Sequence, residues 1–158
     1  TLASAIAITH AYDAGAHPGN GPKSGRFAGG RLRLDVTHVR DAMEKHPHLP
    51  KAVDYALHHK PIMARSITAG IGALMMDAHP DRAVEFLDDV FIDDGGRIGQ
   101  PAKTLREFVM RGHLLSRHKP SVLVAIVRAW NAHVAGRTLA KIDTVLRGEN
   151  FPRVARFK

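Results

Sequence analysis

The sequence predicts an all-α fold, a compact bundle of about six to eight short helices carrying one Gly-rich basic loop. Three observations predict it. Apolar residues recur at helical spacing, most cleanly as Ala83, Phe86, Leu87 and Val90 at i, i+3, i+4 and i+7. Proline stands where helices open (Pro50, Pro80, Pro120) and glycine where they close (Gly15, Gly136). Alternating apolar and polar residues are scarce; "RLRL" at 31–34 is a single quartet that could pair as a short strand.

Each segment in turn follows these rules. "TLASAIAITHAYDAG" sets Leu2, Ile6 and Tyr12 near one face and stops at Gly15. Residues 14–34 form the Gly-rich basic loop, with Lys23, Arg26, Arg31 and Arg33. Thr37 is the expected N-cap of a helix that ends before Pro47. Pro50 opens the next, with Val53 and Leu57 four apart. Ile67, Ile71, Leu74 and Ala78 mark a third, in which Gly70 and Gly72 predict close approach of another backbone. Pro80 and Asp81 begin the Ala83–Val90 helix, and Gly95 and Gly96 end it. Residues 101–118 form a longer helix with Leu105, Phe108, Val109 and Leu115 on its apolar side. Leu123, Ile126, Val127, Trp130 and Val134 stripe the strongest one, opened by Pro120 or Ser121 and closed by Gly136. "TLAKIDTVLRG" adds a last turn or two, and 148–158 reads as a basic tail.

Composition bounds the function. At 158 residues the chain is one domain's worth, read as a single helical domain over 1–158, and 44% hydrophobic residues support a core. The absence of cysteine excludes disulfides, Cys-ligated zinc and thiol catalysis, and fits a reducing compartment. No apolar run is long enough to span a bilayer and no secretory signal opens the chain, so no membrane role is expected. Residue 1 is Thr and the start reads as mid-helix, so more sequence is expected upstream. The net charge of +8 favours a polyanionic partner, nucleic acid ahead of an acidic membrane surface; an inert basic surface is the alternative.

Two sets of residues suit phosphate contacts. Lys103, Arg106, Met110, His113 and Arg117 share one helix face, which Arg111, Lys119 and Arg128 extend. The competing reading is an ordinary solvated face. The loop cations Lys23, Arg26, Arg31 and Arg33 form either an arm that orders on a phosphate backbone or a linker. The fragment "PKSG" is not a phosphate-binding P-loop, because Pro22 precedes Lys23 and no apolar strand leads in.

Other constellations read as structural. Trp130 lies on an apolar stripe and is a core anchor. Asn131 beside it satisfies backbone groups or caps a helix, with a base contact as the alternative. Asp88, Asp89, Asp93 and Asp94 do not have calcium-loop spacing and are expected to pair with Arg97 or another arginine. The 11 histidines include no H-E-x-x-H and are expected at the surface or at helix caps. With no G-x-S-x-G elbow either, no self-contained catalytic set, cofactor or metal is expected.

Three segments in order, "AVEFLDDVFIDDG", "GQPAKTLREFVMR" and "VLVAIVRAWNAHVAGRTLAKI", together resemble the C-terminal helical region of ParB-like proteins of phages, plasmids and actinobacterial mobile elements. The first segment, "TLASAIAITHAYDAG", resembles the helix that follows the ParB-like domain. The resemblance covers about four-fifths of the chain, in an ordered set of motifs. It implies a DNA-binding or accessory domain in the cytoplasm of a bacterial or phage-infected cell, with room for a homo-oligomer. The family's "D-G-Q-H-R" motif is missing here, so any nucleotide or nuclease chemistry would belong to an upstream domain. Two further readings follow: a non-catalytic part of such an enzyme, or a protein–protein module.

Overall fold

The structure, a computed structural model, describes residues 1–15, 35–92, 99–111, 119–146 and 150–157. Among the described residues there are seven helices and no strand: α1 (Leu2–Asp13), α2 (Val36–Lys45), α3 (Leu49–His58), α4 (Arg65–Ala78), α5 (Pro80–Phe91), α6 (Pro101–Arg111) and α7 (Lys119–Val134). The all-α expectation holds. The "RLRL" quartet, Gly95 and Gly96 lie outside the described residues.

Helix ends follow local chemistry. Gly15 (φ +75°) and Gly136 (φ +67°) take the left-handed conformation after α1 and α7. Beyond α7 the Arg137 amide donates to Ala132 and the Gly136 amide to His133, which satisfies two end carbonyls. The expected Thr37 cap is corrected: Asp35 caps α2, its carboxylate accepting from the His38 amide at 2.8 Å. A carboxylate at that position also meets the positive end of the helix dipole. α7 starts at Lys119, one or two residues before the expected opening.

Two helices form the centre. α4 buries every residue from Ile67 to Met76 and packs on α1, α3, α5 and α7. α7 buries Val122 to Val127 without a break. Such all-round burial explains why these two are apolar on every side, whereas α5 shows one stripe. That stripe is the expected one: Ala83, Phe86 and Val90 are 0% exposed. Phe86 meets Trp130 of α7 edge to face at 5.5 Å, and both are fully buried.

Gly70 is where α4 touches α1. A Cβ there would lie 2.8 Å from Cβ and Cγ2 of Ile8. A neighbour does come close at Gly70, as expected, but it is the Ile8 side chain and not a backbone. At Gly72 a Cβ would meet Ala52 and Leu87 at an ordinary 3.7 Å, so that glycine is not required by space.

The chain after α7 departs from expectation. Residues 137–146 are not helical. Their backbone is satisfied from outside instead: Leu139 donates to Gly99 at 2.7 Å and accepts from the Thr104 hydroxyl. Arg128 donates to the carbonyls of Asp143 and Val145. These foreign partners replace the i−4 carbonyls a further helical turn would use. Residues 150–157 form an extended strap across α1 and α7, anchored by buried Phe151.

Candidate functional site

Of the residues expected to meet phosphate, Lys23, Arg26, Arg31, Arg33, His113 and Arg117 lie outside the described residues. Lys103 and Arg106 are half-buried on α6, and Arg111 is exposed beside Glu107. The structure brings Arg106 to the end of α5, where Nη1 donates to the carbonyls of Val90 and Phe91, both at 2.9 Å. A cation at a helix C-terminus also opposes the negative dipole end. Arg128 is engaged with residues 143–145 as described, and of Lys119 only the backbone position is described.

Of the carboxylates near that same helix end, Asp88 has other partners than the expected arginine. Asp88 accepts from the Tyr55 hydroxyl at 2.7 Å and lies 3.7 Å from His59 Nε2. Burial and that carboxylate push the Tyr55 hydroxyl far above its usual range. His59 stacks on the Tyr55 ring at 3.8 Å. Asp93, Asp94 and Arg97 lie outside the described residues.

Trp130 and Asn131 together clamp the strap. Trp130 Nε1 donates to Ala155 O at 2.8 Å. The Asn131 amide donates to Arg153 O and accepts from the Ala155 amide, both at 2.8 Å. Asn131 thus satisfies backbone, the first of its two expected roles, because an amide side chain offers the same donor and acceptor as a peptide. Tyr12 completes the clamp: its hydroxyl accepts from the Val154 amide at 2.9 Å, and Arg153 lies over its ring and donates to its carbonyl. Phe157 packs on Trp130, His79 and His133. His133 is driven below its usual pKa by burial and by nearby Arg82, and its buried Nε2 has no partner.

The most concentrated polar chemistry is a charged knot that no spacing signal marks. His46, in the α2–α3 link, is only 6% exposed. Its Nδ1 lies 2.7 Å from Asp77 Oδ2 at the end of α4, and its Nε2 lies 2.8 Å from Asp13 Oδ2 at the end of α1. A carboxylate accepts only, so both ring nitrogens must donate and His46 is an imidazolium. Its pKa is raised by the Asp77 hydrogen bond, against the opposing cost of burial, with Asp13 adding to the rise. Asp77 is half-protected from water, which works against its charge. The hydrogen bonds from His46 and His48 outweigh this and lower its pKa.

Around the knot, His48 Nδ1 donates to Asp77 Oδ1 at 2.9 Å and Lys45 approaches Asp13 at 3.3 Å. These residues, with Tyr12 and Arg156, line a cleft of about 380 Å³. The expectation that histidines sit at the surface or cap helices fits His58, His59 and His79, whose rings bond backbone groups at helix ends. It is corrected for His46. Two hints existed in the sequence: Asp13 and Asp77 each stand in the last turn of a helix, where the dipole disfavours a carboxylate. Among the described residues no group of three or more side chains is arranged to hold a metal ion. No helix there is long and apolar enough to cross a membrane.

Comparison with protein-family models, characterised proteins and solved structures finds no match to this chain.

Proposed function

We propose that this chain is a DNA-binding helical domain, the accessory part of a ParB-like mobile-element protein, which binds backbone phosphates. The observation that carries the reading is the segregation of charge along the chain. Residues 35–110, which include α2 to α5 and all of α6 but its last residue, Arg111, hold twelve carboxylates against nine Lys and Arg. Residues 16–34 hold Lys23, Arg26, Arg31 and Arg33 with no carboxylate, and residues 111–119 hold Arg111, Arg117 and Lys119 with none. After α7, Arg137, Lys141, Arg153 and Arg156 are exposed. Charge gathered in this way favours a polyanion, since each phosphate neutralised releases counterions.

The test is duplex binding by fluorescence anisotropy over a salt series, using blunt DNA without terminal phosphates. Affinity is expected to fall linearly with salt on logarithmic axes. The Arg31→Ala/Arg33→Ala double variant is expected to flatten the slope by about two. Arg106→Ala serves as a control, expected to lower stability more than slope because its guanidinium supports α5. Absence of binding at low salt, or indifference to salt, rejects the reading.

A further inference from the structure

We propose that the cleft beside His46 is a binding site for a phosphate group, held by Arg156, Lys45 and the Nε2 edge of His48. The larger ligand considered below rests on the DNA reading; the phosphate site itself does not. Three polar side chains line this cleft with few other partners among the described residues. Arg156 makes no hydrogen bond or ion pair to any described residue. Lys45, its side chain 64% exposed, pairs among the described residues with Asp13 alone. His48 spends Nδ1 on Asp77, and no described residue bonds its Nε2.

The electrostatics select the sign of the ligand. Asp13 and Asp77 are the carboxylates lining the cleft, and the His46 imidazolium already binds both. Lys45 and Arg156 then leave cations in excess. A volume of about 380 Å³ falls within the range of small-ligand sites. His48 adds selectivity for a phosphate over a simple halide. With its Nδ1 bonded to Asp77, the His48 ring offers Nε2 for one further hydrogen bond, to a phosphate oxygen or hydroxyl. The lining residues include no serine, threonine or cysteine nucleophile, so binding rather than transfer is what they support.

The experiment titrates inorganic phosphate into the full ¹⁵N-labelled chain and follows the His48 ring and Arg156 side-chain signals by NMR. Phosphate is expected to shift both. Arg156→Ala and Lys45→Ala, two exposed positions whose loss leaves the core intact, are each expected to weaken binding about tenfold. An unshifted His48, or wild-type affinity retained by both variants, overturns the site. A second arm compares 5′-phosphorylated with 5′-hydroxyl single strands. Tighter binding of the phosphorylated strand that Arg156→Ala abolishes assigns the site to a nucleic-acid end. Equal strand affinities with phosphate shifts retained assign it to a free phosphate compound. Phosphate shifts without any duplex binding support the cleft and sink the DNA reading; duplex binding without phosphate shifts does the reverse.

Discussion

The molecule ties its non-helical segments down in two ways. At one end of α4 the α2–α3 link is held by charge, through His46 between Asp13 and Asp77. On the outside of α7 the C-terminal strap is held by neutral dipoles and rings, through Trp130, Asn131 and Tyr12. The charged knot concentrates its attraction in a few short contacts and depends on protonation. The neutral clamp spreads its attraction over four backbone groups and large apolar surfaces, and nothing in Trp130 or Asn131 titrates. A difference in kind of interaction becomes a difference in response to pH.

The largest effect is expected from the clamp. Trp130→Ala deletes a fully buried indole and its bond to Ala155, and is expected to cost about 3–5 kcal/mol in urea unfolding. The loss should be nearly the same at every pH above about 6.5, where His133 beside the indole carries no charge in either state. His46→Ala is expected to cost about 3 kcal/mol near neutrality, because Asp13 and Asp77 lose their shared buried partner and keep only the more exposed Lys45 and His48.

The pH profile separates the two ties further. Because the folded pKa of His46 is raised above 6.5, its stabilisation is complete below that value and is lost as pH rises through the folded pKa. Asp77 has a lowered folded pKa, so its contribution is present above about 4 and is lost as pH falls through the folded value. Wild type is therefore expected to soften on the alkaline side as His46 discharges, and His46→Ala to lack that softening. A His46→Ala loss that is the same at high and low pH would remove the distinction between knot and clamp. The smallest effect is Asn131→Ala, expected to cost about 1–2 kcal/mol with a flat pH profile, read in the same unfolding assay.

What could be read from the sequence was local. The α5 stripe, the Gly15 and Gly136 ends, the Gly70 contact and the burial of Trp130 all follow from periodicity or from the conformational needs of one residue. The knot was illegible because its partners lie 31 and 33 residues apart, and no pattern within one helix joins them. The strap was read as a basic tail because 148–158 is rich in charge, yet its anchors are Phe151 and Phe157 and its backbone is what the protein grips. Residues 138–148 read as further helix because their residue types suit one, but over 138–146 Arg128 and Gly99 supply the backbone with partners elsewhere. The basic face on α6 shows the reverse limit. Helical spacing placed Arg106 beside Lys103, but not the open carbonyls of α5 within its reach.

The Tyr12 hydroxyl receives its proton donor from Val154, 142 positions later. A ribosome delivers Tyr12 well before Trp130 and Asn131, and those before the strap that all three grip. Until residues 150–157 emerge, the three present an unfilled strip of rings and dipoles.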